Sequence, residues 1–392
     1  MYKTNRQLFF EHLAPTSKFP LAIEIERASG IYMYAPNGKK YIDFISGIGV
    51  SNVGHCHTNV VEAIKKQAET YMHLMVYGEY VQAPQVQLAA WLSNHLPASL
   101  NSAYLTNSGA EAIEGAMKLA KRATGRTKII SFKNCYHGST QGALSIIGSE
   151  EFKQNFRPLI PDCTLLNFNN FEDINLIDET VAAVFIETIQ GEAGYIEPKP
   201  HYLQLLRNQC TKVGALLVCD EIQAGAGRTG KLWAFEHYDI VPDVICLAKG
   251  IGGGMPIGAF VASHELMSFF TENPILGHLT TFGGHPVSAA ASLACLQTIE
   301  DEKLIESVQE KEQLIKKLLV HPKINEIRGK GLMLAVGFDS FEINKAIIDR
   351  CIENGVVTDW FLFCDNYMRI APPLTITLSE IEQACNLILK SI

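Results

Sequence analysis

Residues 216–258 read LLVCDEIQAGAGRTGKLWAFEHYDIVPDVICLAKGIGGGMPIG, and this stretch decides the fold. Two apolar runs, Leu216–Cys219 and Val244–Ala248, each end directly in a charged residue, Asp220 and Lys249. Short runs that are apolar on both faces suit interior strands of a parallel sheet, and in such sheets ligands bind at the carboxyl ends of the strands. A third run, Ala182–Ile186, ends the same way in Glu187. Three buried strands thus deliver two acids and an amine to one edge of one sheet. Taken singly, each charged residue is equally well a strand-end ion pair.

The order of the residues around these strand ends narrows the choice. Asp220-Glu221-Ile222-Gln223 is followed by Gly225-Ala226-Gly227-Arg228-Thr229-Gly230 and then by Lys249-Gly250. This run resembles the signature of the class III aminotransferases of the ornithine, acetylornithine and 4-aminobutyrate type, which depend on pyridoxal 5'-phosphate. The resemblance implies that Lys249 forms a Schiff base with the cofactor and moves the substrate proton, while Asp220 keeps the ring nitrogen protonated. It also implies an α/β fold of the fold type I pyridoxal-phosphate transferases: a large domain with a mostly parallel central sheet, plus a smaller α+β domain. The expected division is an arm and hairpin over 1–50 packing with the small domain, a cofactor-binding domain over 51–286, and a small domain over 287–392.

A chain of 392 residues is long enough for this plan. The net charge of −8 and the pI near 5.9 argue against nucleic acid or an anionic membrane as the main partner. Ten cysteines without a Cys-x-x-Cys pair, several inside apolar runs, read as reduced, buried thiols, and no export segment or membrane-length apolar run occurs. The expected location is the cytoplasm.

Read in order, the chain opens on a short helical stretch over residues 5–13, closed off by Pro15 and Pro20. A hairpin is expected across the Pro-Asn-Gly turn at 36–38. His55-Cys56-His57 offers metal-ligating side chains, but adjacent ligands do not readily share one tetrahedral ion, so no metal is expected. Thr106-Asn107-Ser108-Gly109-Ala110-Glu111 joins a strand to a helix with a capping-box pattern at Ser108 and Glu111, and free amides at a helix start bind phosphate. The resemblance assigns the cofactor phosphate to Ser108, Gly109 and Ala110. Likewise it assigns Tyr136 to stacking on the ring, and His137, Glu187 and Gln223 to the cofactor site. Gly252-Gly253-Gly254 lacks dinucleotide-loop spacing and runs into Pro256, which excludes a nicotinamide cofactor there. In Thr280-Thr281-Phe282-Gly283-Gly284, the resemblance gives Thr281 to the phosphate of the neighbouring subunit, implying a homodimer. From Pro286 a long helix is expected to about Leu319, then strands near Gly331–Val336 and Tyr367–Ile370 and a final helix from Ser379.

The reaction expected is transfer of an amino group from an ω-amino donor to a keto acid such as 2-oxoglutarate. An aminomutase or racemase of the glutamate-semialdehyde type shares the fold and the lysine and stays open as the alternative. Glu192 and Arg369 match a Glu–Arg pair of ornithine-type enzymes in which the arginine clamps a substrate carboxylate. Those enzymes also carry an arginine directly after the aromatic-x-Gly unit; this chain has Ser139 after Tyr136-His137-Gly138. Lys18 and Ile48 stand where they place tyrosines that contact the substrate. These departures point to a donor with a more apolar body, or to an acid met by Lys18, rather than to acetylornithine.

Overall fold

The computed structural model describes residues 3–392. Its centre is a seven-stranded sheet in the order Ser102–Thr106, Gly258–Ala262, Val244–Leu247, Leu216–Asp220, Val181–Glu187, Lys128–Phe132, Cys163–Leu166. The last five strands run parallel, whereas Gly258–Ala262 is antiparallel to both of its neighbours. Val181–Glu187 and Val244–Leu247 are buried along their whole length because helices cover both faces. Between successive strands, Tyr202–Val213 forms a crossover helix that Gly214 ends in a left-handed conformation (φ 69°), as a residue without a Cβ does at little cost.

Two smaller sheets flank this core. Arg27–Ser29, Tyr32–Tyr34 and Lys40–Asp43 form an antiparallel meander, and Lys40–Asp43 also pairs in parallel with Val356–Val357 from near the other end of the chain. Glu326–Lys330, Met333–Gly337, Cys364–Ile370 and Asp359–Phe361 make an antiparallel sheet backed by the helices Phe341–Glu353 and Leu378–Ser391. The buried Arg228 joins this sheet to the centre by donating from Nη1 to the Leu332 carbonyl at 3.1 Å and to that of Pro372, and from Nη2 to Asn52.

Three expectations need correction. The single helix from Pro286 to Leu319 is two, Pro286–Asp301 and Val308–Leu318. Lys303 takes a left-handed φ of 51° and a 3₁₀ turn over Leu304–Ser307 redirects the chain, bringing Leu304 and Val308 into the core. The capping box is half formed. Ser108 Oγ accepts from Glu111 N at 3.2 Å, but the Glu111 carboxylate reaches past Ser108 to Asn107 N at 2.8 Å. All ten cysteines are free thiols, yet Cys56 is exposed and Cys163 and Cys364 are only partly buried. Among the described residues no helix is long and apolar enough to cross a membrane.

Candidate active site

The carboxyl ends of the parallel strands open into a cavity of about 570 Å³. Strand register places its charged groups: Glu187 lies opposite Asp220, and Asp220 opposite Cys246 on the strand that leads into Lys249. Lys249 starts a 3₁₀ turn with φ at +45°, a conformation L-residues avoid, so local strain is held at this lysine. Burial lowers its pKa from the usual lysine value, against the pull of Glu192 and Asp220. Among the described residues none accepts a hydrogen bond from its ammonium.

Asp220 is held from two sides. Its Oδ1 accepts from Ile222 N at 2.9 Å, and its Oδ2 lies 2.7 Å from His137 Nδ1. Burial opposes a charge on His137, but Cys135 and Asp220 hold its pKa well above the ordinary histidine range. Glu187 accepts from Tyr136 N at 3.2 Å and Gly191 N at 2.9 Å, tying two loops to the strand end. Burial pushes its carboxyl up to about 8, with Asp220 adding to the rise and His137 opposing it.

Across the cavity stands the first turn of the helix Gly109–Thr124, whose leading amides lack acceptors inside the helix. Ser108, Gly109 and Ala110 line the wall there. A Cβ on Gly109 would stand 2.8 Å from Ile222 Cδ1, and one on Gly138 2.7 Å from Ala110 Cβ, so both glycines permit a close approach around the opening. Tyr136 is half-buried in the wall with its hydroxyl 3.0 Å from Ser139 Oγ. Gln223 lines the wall beside them.

At the far end Glu192 meets Arg369 in a two-pronged pair, Nη1 to Oε1 at 3.0 Å and Nη2 to Oε2 at 2.9 Å. Arg369 is also bound at Nε by Asp359 Oδ1 at 2.9 Å. Glu192 lines the cavity, with the arginine behind it.

The structure therefore gathers Ser108, Gly109, Ala110, Tyr136, His137, Ser139, Glu187, Glu192, Asp220, Gln223 and Lys249 around one cavity. Four candidates lie outside its wall: Arg369, which stands behind Glu192, and Lys18, Ile48 and Thr281. Lys18 is exposed on the arm of this chain. Ile48 is half-buried in a left-handed turn over Ser46–Gly49 (φ 51°, 60°, 66° and 73°), which directs Val50 into the wall in its place. Thr281 is exposed. Sequence reasoning missed Val50, Met255 and Asp359; only Met255, directly after three glycines, carried a local signal. His55, Cys56 and His57 diverge: His55 Nε2 lies 2.8 Å from Asp43 Oδ2, His57 Nε2 lies 3.2 Å from Glu302 Oε1, and Cys56 is exposed. Among the described residues no cluster of three metal-ligating side chains occurs.

This arrangement fits pyridoxal phosphate: amides at a helix start for the phosphate, a flat aromatic side chain, a buried carboxylate pair, and a lysine with no acid bonded to it among the described residues. Comparison with known proteins agrees. The sequence model of the class III aminotransferases matches residues 13–392. Acetylornithine aminotransferase of Methanopyrus kandleri is 38% identical over 95% of this chain and 94% of its own. The [LysW]-aminoadipate semialdehyde/glutamate semialdehyde transaminase of Sulfurisphaera tokodaii is 36% identical over 94% and 95%. Among solved structures, the ornithine aminotransferase of Toxoplasma gondii superposes with a TM-score of 0.91 at 30% identity, covering 98% of this chain and 92% of that one. The chain belongs to the class III aminotransferases and depends on pyridoxal phosphate.

Proposed function

We propose that this class III aminotransferase moves an amino group from an ω-amino donor with an apolar body to 2-oxoglutarate, and that Arg369 receives the carboxylate of the keto acid remote from its carbonyl. The observation that carries this reading is the two-pronged Glu192–Arg369 pair at the cavity wall. Glu192 neutralises the arginine while a donor without a carboxylate at that place is bound, and withdraws when a diacid arrives. At the opposite side of the opening Ser139 offers a hydroxyl and no charge, and Val50, Ile189 and Met255 add apolar surface. The names of the relatives include donors that bear carboxylates. Absence of a guanidinium at Ser139 separates this chain from that expectation, because replacing such a charge leaves about 2 to 5 kcal/mol of carboxylate binding unsupplied.

Pyridoxal phosphate, when bound, supplies the electron sink for the reaction. Ser108, Gly109 and Ala110 hold its phosphate, with Thr281 contributed by a second copy of the chain in a homodimer. Tyr136, Gln223 and His137 orient its ring, with Glu187 bracing the Tyr136 loop. Asp220 would hold the ring nitrogen protonated, and its bond to His137 fixes the carboxylate's direction. Lys249 carries the cofactor and moves the proton at the substrate carbon; its lowered pKa favours the neutral amine that a base requires. On this reading the chain divides at about residues 50 and 286, and its free thiols suit a reducing cytoplasm.

A donor panel with 2-oxoglutarate and pyruvate as acceptors tests the reading. Turnover should require a keto acid and favour donors with an apolar body. Conversion of a single compound without any acceptor would overturn transfer, and efficient use of N-acetylornithine would overturn the donor assignment.

A further inference from the structure

Arg369 is gripped by two acids on two different edges. Its Nη edge faces Glu192 and its Nε edge donates to Asp359 Oδ1 at 2.9 Å. The two acids differ in what they are attached to. Asp359 sits directly opposite Arg369 in the ladder between Asp359–Phe361 and Cys364–Ile370, so it belongs to the same hairpin and travels with the arginine. Glu192 comes from the loop after Val181–Glu187, and of the three side chains only Glu192 lines the cavity. The backbone of Glu192 is pinned, its carbonyl accepting from Phe363 N at 3.1 Å, so exchange at this site is a movement of its side chain, which also gives up the bond its Oε2 accepts from Leu362 N at 3.2 Å. Around the guanidinium, the Phe361 ring centroid lies 4.4 Å from Cζ and the Trp360 carbonyl 3.3 Å from Nη2, which leaves as the way in the side of Glu192 and of Gln223, whose Oε1 accepts from Nη1 at 3.4 Å.

A buried guanidinium held by one acid alone becomes an uncompensated charge when that acid swings away, and its long side chain then follows or relaxes. We propose that Asp359 is a positioning residue for transamination: through Nε it keeps Arg369 in place and charge-balanced when Glu192 withdraws, so that the Nη edge stands ready for the keto acid's carboxylate. This rests on the reading that Arg369 receives that carboxylate.

The test uses the holoenzyme with 2-oxoglutarate and the fastest donor of the panel. In Asp359→Ala the KM for 2-oxoglutarate should rise about tenfold, the loss expected for a charged hydrogen bond, and by several times more than the KM for the donor. Asp359→Asn, whose amide oxygen can still accept from Nε but carries no charge, should recover part of the change. Equal effects on both substrates, an unchanged KM in the alanine variant, or an asparagine variant no better than alanine would each overturn the role of Asp359. Arg369→Lys separates the two levels. If it leaves the KM for 2-oxoglutarate unchanged, the assignment of Arg369 itself fails; if it raises that KM while Asp359→Ala does not, only the anchor fails.

Discussion

Two buried acid clusters serve the same cavity and are built in opposite ways. Glu187 and Asp220 are cross-strand neighbours at the ends of parallel strands, held by backbone amides and His137, with no arginine or lysine bonded to them among the described residues. Glu192 and Asp359 share one guanidinium supplied by a distant hairpin. The charges follow the construction. Burial drives Glu187 up to about 8, whereas at Glu192 the Arg369 guanidinium outweighs burial and the carboxyl stays below its usual range. Asp359, with a single bond to the same arginine, is pushed by burial up to about 6. A rigid acid pair without a bonded lysine or arginine suits a cationic ring that arrives with a cofactor, while an acid already neutralised by a guanidinium suits exchange. On the proposed reading, rigidity belongs to the strand ends and exchange to the loop and hairpin.

The largest expected effect lies at the rigid end. Lys249→Ala should lower transamination by about three orders of magnitude or more, and borohydride should fix the cofactor of the wild type to Lys249. A modified peptide containing any other lysine would break the assignment. Next, Asp220→Asn keeps the shape and removes the charge, and kcat should fall about 10²- to 10³-fold, as when one preorganised electrostatic partner is lost. Near-normal turnover in that variant would mean that the acid pair does not serve the ring.

At the exchangeable end the effects should be smaller and selective. Glu192→Ala should shift the relative preference for 2-oxoglutarate over the donor by about tenfold, because a competing charged pair has been deleted. An unchanged ratio would erase the functional difference between the two clusters. Ser139→Arg should raise use of N-acetylornithine several-fold relative to apolar donors, measured as the ratio of kcat/KM values. No shift would show that the donor end is not set at this position.

The smallest effect concerns stability of the cofactor-free protein. Glu187 has a folded-state pKa of about 8 against an ordinary value of 4.5, so the folded form binds the extra proton in that window. Its contribution is therefore present at low pH and lost as pH rises from about 4.5 toward 8. Thermal midpoints measured across that range should decline more steeply in the wild type than in Glu187→Gln. Parallel profiles would mean that Glu187 carries no such linkage.

Much of the rigid end was legible in the chain. Apolar runs ending in Glu187, Asp220 and Lys249 announce parallel strands, and strand register brings Glu187 beside Asp220 and Asp220 beside Cys246, with Lys249 in the turn that follows. The helix start at Ser108 was equally plain, although its cap is shared with Asn107 because the Glu111 side chain reaches one residue further than the pattern suggests. The break at Lys303 was hidden, since Leu304 and Val308 continue a helical spacing and only the left-handed φ of one lysine interrupts it.

What the sequence determined by itself is the chemistry that depends on near neighbours: which residues end strands, which glycines allow close approach, and which lysine lies beside the acids. The Glu192–Arg369 pair was read from the resemblance, but tertiary structure alone decided that Asp359 joins it and which candidates reach the cavity. Asp359 is ten residues from Arg369 and Glu192 is 177 away. Their meeting depends on how a hairpin is folded back and docked against the loop after a strand. Lys18 and Ile48 do not line the cavity within this chain for the same reason: a residue's place along the chain leaves its direction free until the arm and the left-handed turn have been packed.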